Sequence, residues 1–217
     1  MKLDKNTYGT VLLIYVLSLV GIFLLLRYVP QWWIKWPLVL FLVWLSAWQT
    51  YFHMVPDRAP AGSEKLVSAV SDGKVVRVEE VFEPVYLKRK VWMISVYMDF
   101  WDLHANFWPV TGTVSFAEYY PGKHMLAFKP KASEENEHAC TVIRTSEGKE
   151  VLFKQLAGGF ARRIVCYAKP GLDVRAGEQC GIIKFGSRID YYIPAEAKLR
   201  VKVGDFVKAV HSILAEI

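Results

Sequence analysis

A chain of 217 residues carrying a net charge of +6 has room for one or two domains with a sizeable core, and its charge points to an acidic partner. No basic-aromatic nucleic-acid motif accompanies that charge, which leaves an anionic membrane as the better match. The three cysteines, Cys140, Cys166 and Cys180, are widely spaced and lack any Cys-x-x-Cys, so neither a metal site nor a disulfide framework organises the chain. They read as buried free thiols in a reducing compartment.

Tyr8 to Leu26 carries no charged residue and is 19 residues long, close to the roughly 20 that cross a bilayer as a helix. A second apolar stretch, Trp36 to Phe52, is 17 residues and marginal for a span. Between them, Arg27-Tyr28-Val29-Pro30-Gln31-Trp32-Trp33-Ile34-Lys35 mixes tryptophans and basic residues as an interfacial belt does. A cleaved signal peptide fits less well, because no small-residue cleavage site follows and a second apolar segment does. Residues 1–55 are therefore expected to be a helical hairpin that anchors the chain, either through the bilayer or within one leaflet. An even number of crossings puts Met1 and the rest of the chain on one side, and the free thiols favour the cytoplasmic side.

Residues 56–66 are a Pro/Gly-rich linker. Beyond it the pattern is β. Lys74–Val81, Val91–Met98, Thr111–Phe116, Ala139–Thr145, Glu150–Leu156, Arg163–Tyr167, Gly181–Phe185 and Ile189–Pro194 are rich in β-branched and aromatic residues. Ser146-Glu147-Gly148-Lys149 is a hairpin turn. Helices are expected at Ser133–Glu137, with Ser133 as N-cap, and at Gly158–Arg162. A pattern at Lys169–Ala176 recurs 33 residues later at Lys202–Ala209. It predicts two similar hairpins packed with pseudo-symmetry, as in lipoyl-type sandwiches. Residues 67–217 are thus expected to form a mainly β, lipoyl-like barrel-sandwich domain behind the membrane hairpin.

Between Gly181–Phe185 and Ile189–Pro194 lies Gly186-Ser187. As a plain element it is a turn between two strands. It is also a bond open to covalent chemistry. Glycine leaves its carbonyl approachable, and the serine hydroxyl one residue on can attack that carbonyl in an N→O acyl shift. β-Elimination from the ester would cut the chain and leave a dehydroalanine that hydrolyses to a pyruvoyl group.

Seven segments in series match one family. They are Ser71-Asp72-Gly73-Lys74-Val75, Asp102-Leu103-His104-Ala105-Asn106, Tyr120-Pro121-Gly122-Lys123, Ala132–Glu137, Gln155-Leu156-Ala157-Gly158, Ala161–Tyr167 and Phe185–Asp190. From about Val67 to Ile217 the chain resembles the phosphatidylserine decarboxylases in their short, membrane-anchored bacterial form. The resemblance implies a self-cleaving proenzyme, cut between Gly186 and Ser187 into a β chain ending at 186 and a 31-residue α chain, 187–217, headed by a pyruvoyl cofactor made from Ser187. That group would form a Schiff base with phosphatidylserine, release CO2 and yield phosphatidylethanolamine. The two chains would stay together, and self-association is common in the family.

The resemblance also makes His104 a proton carrier and Asp72, at the family's acidic position, a catalytic residue. Taken alone, Asp72-Gly73 is a turn, and His104 between Leu103 and Ala105 is a hydrogen-bonded core residue. Arg162, Arg163 and Arg188 are candidates for the substrate's anionic groups; the first two also read as a solvated basic turn, and Arg188 as a residue flanking a strand. One position departs from the family pattern. Phe107 stands where long-form members carry a second histidine tied to cleavage, so an Asp-His-Ser relay does not transfer to this chain. Two other readings stand beside this one: a related ether-lipid serine head group as substrate, and a non-catalytic, membrane-tethered lipoyl-like module. Against the module, the expected hairpin-tip lysine is replaced by Gly186-Ser187.

Overall fold

The computed structural model describes residues 1–59, 65–126, 132–159, 163–184 and 187–217. The chain divides into two compact units, Met1–Pro56 and Asp57–Ile217.

The first unit is a helical hairpin. α1 (Tyr8–Tyr28) and α2 (Trp32–Phe52) are 21 residues each, about 31 Å at 1.5 Å per residue. They run antiparallel and touch through hydroxyls: Ser46 Oγ donates to Ser18 Oγ at 3.0 Å, and Tyr15 and Thr50 pair at 3.0 Å. Small and hydroxylated residues at such a seam let helices approach where no water drives them together. β1 (Lys2–Leu3) and β2 (Met54–Val55) pair across the open end. Among the described residues, α1 alone is long and apolar enough to cross a membrane, with a mean hydropathy of 2.6.

The second unit is almost wholly β. Its strands are β3 (Leu66–Ser68), β4 (Gly73–Glu83), β5 (Arg89–Met98), β6 (Ala105–Phe107), β7 (Gly112–Tyr120), β8 (His138–Arg144) and β9 (Glu150–Ala157). Then come β10 (Arg163–Cys166), β11 (Asp173–Val174), β12 (Gln179–Lys184), β13 (Ser187–Pro194), β14 (Lys198–Leu199), β15 (Phe206–Val207) and β16 (Ile213–Glu216). An eight-stranded antiparallel sheet has the order β11-β7-β8-β9-β13-β5-β4-β15. Two three-stranded sheets accompany it, β10-β12-β6 and β14-β16-β3. The mainly β domain expected behind a helical N-terminus is what the chain forms.

The recurring sequence pattern has a structural counterpart throughout this unit. The large sheet reads alike from both ends, and its two edge strands are the two copies. Asp173 and Val174 pair with Thr113 and Gly112, as Phe206 and Val207 pair with Lys74 and Gly73. Gly171 N–H donates to the Val114 carbonyl at 2.8 Å, as Gly204 N–H does to that of Val75 at 2.9 Å. Both glycines have positive φ, 84° and 100°, which a side chain would strain. The irregularities in β7 (Val114/Phe116) and β4 (Val75/Arg77) also correspond.

The chain order of the two halves explains where the Gly-Ser bond falls. Residues 105–184 build one half without interruption and lie between β5 and β13 of the other. β8 and β9 are joined by the expected tight turn, closed by Thr145 N–H to the Lys149 carbonyl at 2.8 Å. Their counterparts, β5 and β13, are joined only through 99–186. β12 and β13 belong to different sheets and do not pair with each other, so the chain passes from one half to the other between Lys184 and Ser187. β13 is then gripped along its length by β5 and β9, and all eight of its residues are buried.

The acidic stretch forms one helical turn, α3 (Ala132–Glu135), so Ser133 lies inside the helix and does not cap it. The second expected helix, Gly158–Arg162, falls mostly outside the described residues, as do Arg162, Phe185 and Gly186.

Candidate active site

Alternation along β13 sends its side chains to two faces. Ile189, Tyr191 and Ile193 enter the main core with Met98, Phe153 and Ala157, and Ser187 shares that face. Ser187 is fully buried, and its hydroxyl donates to Met98 Sδ at 3.7 Å, a weak acceptor. Arg188 and Asp190 point to the other face and are also fully buried. They form a two-pronged ion pair: Nε to Oδ1 at 2.8 Å and Nη2 to Oδ2 at 2.9 Å. Nη2 also donates to Ser133 Oγ. The guanidinium of Arg188 is thus committed inside the protein, whereas Arg163 stands exposed at the head of β10.

His104 is fully buried immediately before β6. Its Nδ1 lies 2.8 Å from the Asp102 carbonyl oxygen, so Nδ1 carries the proton and donates, and Nε2 is the basic nitrogen of the neutral ring. Asp102 accepts a hydrogen bond from Asp99 N–H at 2.9 Å. Burial, then the nearby charges of Asp99 and Asp72, push its carboxyl up to about 6.

Asp72 therefore sits in the electrostatic neighbourhood of the His104 loop. Its Oδ1 accepts Ala209 N–H at 2.8 Å, and Arg58 clasps both oxygens, with Nη2 to Oδ2 at 2.9 Å. Part of this is architectural, since Thr111 Oγ1 accepts Ala176 N–H at 3.1 Å at the equivalent place in the other half. The Arg58 clasp has no such counterpart among the described residues. Phe107, at the departed position, is buried in β6, where its N–H donates to the Val70 carbonyl at 2.9 Å.

Two site residues carry no role in the sequence reading. Gln155 Nε2 donates to Asn106 Oδ1 at 2.7 Å, tying the main sheet to β6, and both side chains are fully buried. Gln155 is two residues from Ala157, the register partner of Ser187, and Asn106 is two from His104. The pair leaves Asn106 Nδ2 and Gln155 Oε1 without partners among the described residues. Flipping both amides leaves one donor and one acceptor unpaired just the same. Burying such groups costs about 1–3 kcal/mol each unless something binds them. The signal lay in the alternation Val151, Phe153, Gln155, Ala157, where one polar residue interrupts an inward apolar row.

The thiols take no part. Burial drives Cys140 up to about 12 and raises Cys166 and Cys180, which keeps them protonated and unreactive. No metal-binding group of three or more His, Cys, Asp or Glu occurs among the described residues.

The same unit thus holds a buried serine at the head of a doubly held strand, a buried histidine whose Nδ1 is turned to a carbonyl, and an unsatisfied amide pair on the face that Ser187 shares. Comparison with known proteins identifies the family. A family model described as phosphatidylserine decarboxylase matches residues 45–215. A phosphatidylserine decarboxylase proenzyme of Amoebophilus asiaticus is 39% identical over 173 residues, 80% of this chain and 77% of the relative. Proenzymes of the same name from Parabacteroides distasonis and Cytophaga hutchinsonii are 42% and 40% identical, each over 82% of this chain and about four-fifths of its own length (80% and 79%). This chain is an enzyme that belongs to the phosphatidylserine decarboxylase family.

Proposed function

We propose that the chain is a self-processing proenzyme that cuts itself before Ser187 and then decarboxylates phosphatidylserine in a membrane. The observation that carries this reading is the placement of Ser187: fully buried, heading β13, its hydroxyl held among the described residues by a thioether alone. A nucleophile without a strong acceptor and shielded from water suits an intramolecular attack better than hydrolysis.

Ser187 Oγ adds to the Gly186 carbonyl carbon while its proton passes to a base, for which His104 Nε2 is the candidate. The former carbonyl π pair moves onto oxygen, where the amide N–H of the Asn106–Gln155 pair supplies a donor. The C–N bond then breaks, nitrogen takes the proton, and the chain is joined by an ester. Loss of the Ser187 Cα proton and cleavage of the Cβ–O bond release Gly186 as a carboxylate. Water converts the remaining dehydroalanine to pyruvoyl and ammonia.

The residues present fit that group, since they enclose position 187 in a dry, mainly apolar layer. It supplies an electrophilic carbonyl for the substrate amine and an electron sink for the pair left as CO2 departs. His104 can return a proton to that carbon from Nε2. Asp72, clasped by Arg58 and by Ala209 N–H, acts on Asp102 through its charge, which favours the protonated form of that carboxyl. After the cut the two chains stay together, because β13–β16 remain woven into two sheets. The α1–α2 hairpin keeps the domain at the bilayer, with the site on the cytoplasmic side; α1's length and apolarity support the first point and the buried thiols the second. Family membership replaces the non-catalytic module considered from sequence.

Intact mass of the purified full chain beside Ser187→Ala tests the core of this. Wild type should separate into 1–186 and a 31-residue piece with a blocked N-terminus, and the variant should stay whole. An uncut wild type, folded and in native conditions, would refute self-processing. Proteolysis of sealed and inverted vesicles tests the sidedness.

A further inference from the structure

The face of the main sheet opposite Ser187 carries a cleft of about 690 Å³ that the mechanism does not use. Its chemistry changes along the strands. Pairing aligns His138, Leu156 and Arg188 in the row next to Ser187, and Cys140, Lys154 and Asp190 in the following one. Tyr192 and Met93 come next, and Val81, Phe82 and Val85 form the far lip. Polar residues thus lie near the reacting end and apolar ones lead away from it. At the lip, Phe82 and Val85 are 61% and 56% exposed.

The cations of this face are unequal. Arg188 is taken by Asp190 and Arg77 by Glu79. Lys154 has no ion pair among the described residues; its ammonium lies over the Tyr192 ring at 5.1 Å. Its cross-strand neighbour Asp190 is already engaged. His138 faces the Asn136 carbonyl through Nδ1 at 2.7 Å and is held neutral-leaning by burial, so among the described residues Lys154 is the cation of this cleft free to meet an anion. Lys154 stands in the row of Asp190, three residues from Ser187 and about 10 Å along the strand, and the lip begins several rows on. A cation at that reach followed by an apolar channel matches an anionic head group whose acyl chain trails away.

Resting on the decarboxylase reading, we propose that this cleft holds the substrate lipid, with the phosphodiester against Lys154 and an acyl chain running over Met93 and Val81 to the Phe82–Val85 lip. The lip would then face the bilayer, so the lipid need not leave it entirely.

The test uses the full chain in nanodiscs, as wild type, Lys154→Ala and Val85→Asp. A phosphatidylserine carrying a diazirine on its acyl chain is photo-crosslinked to the uncut Ser187→Ala protein, and the labelled peptide is identified by mass spectrometry. Label should fall on the segment holding Phe82–Val85. Both variants should self-cleave as wild type does, since neither residue lies in the core. Lys154→Ala should raise KM about tenfold or more for phosphatidylserine and for glycerophosphoserine alike. Val85→Asp should raise it mainly for the diacyl lipid. Label confined to other segments, or KM values within about twofold of wild type in both variants, would overturn the proposal while leaving the enzyme reading intact. A wild type that neither cleaves nor decarboxylates would instead refute the reading beneath it.

Discussion

Replacing the buried amides Asn106 and Gln155, singly and together, separates packing from chemistry. Asn106→Ala removes the 2.7 Å hydrogen bond and strands both ends of Gln155 in the core. A net hydrogen bond of about 1 kcal/mol plus about 1–3 kcal/mol for newly unsatisfied groups gives a loss of roughly 2–4 kcal/mol. For a chain of this size that lowers Tm by roughly 5–15 °C. Asn106→Leu combined with Gln155→Met keeps the volume and removes every polar atom, so its stability should lie within about 1 kcal/mol of wild type. Were the pair only structural, the double variant would also process normally. If it supplies the donor for the Gly186 oxyanion, cleavage should slow by about 10²–10³-fold in the more stable variant. Thermal melts and a time course of α-chain release read the two effects separately. Adding hydroxylamine, which cuts esters, shows whether the acyl shift or the elimination is delayed. A double variant that cleaves at the wild-type rate refutes the catalytic argument, and one as unstable as the single variant refutes the energetic argument.

Arg188→Ala leaves Asp190 charged and alone in the core, and should cost about 3–5 kcal/mol; Arg188→Met with Asp190→Leu should recover most of it, as measured by denaturant unfolding. Asp102 binds its proton more tightly folded than unfolded, so stability should fall as pH rises from about 4 to about 6 and stay reduced above that. With its partial exposure the penalty at pH 7 is about 1 kcal/mol, and Asp102→Asn should flatten this slope in pH-dependent melts. At Gly181 an added Cβ would stand 2.1 Å from the Val165 carbonyl oxygen and 3.0 Å from Gln155 Nε2. Gly181→Ala should therefore force β10 and β12 apart and cost roughly 1–3 kcal/mol or more, visible as a lowered Tm.

Much of this was legible in the chain itself. Alternation of β-branched and aromatic residues located the eight main strands, because a half-buried strand must alternate. An uncharged run of bilayer length marked α1, and the repeat at Lys169 and Lys202 announced the two halves. Gly186-Ser187 stood out because its chemistry is local: a hydroxyl next to an unhindered carbonyl needs no distant partner. Other features depend on pairing between residues far apart, and sequence spacing does not encode those. The short strands β3, β6 and β16 are too brief to show a period. Arg188 read as a candidate for substrate until register put it beside Asp190 beneath the surface. Asn106 and Gln155 lie 49 residues apart and meet only because β6 folds over the main sheet. The sequence by itself determined the strands and the apolar α1 and singled out the Gly186-Ser187 bond, since each follows from neighbouring residues. Only the tertiary structure decided that the bond joins two halves, which residues surround it and what they can donate, because those are consequences of strand order and of which face each side chain occupies.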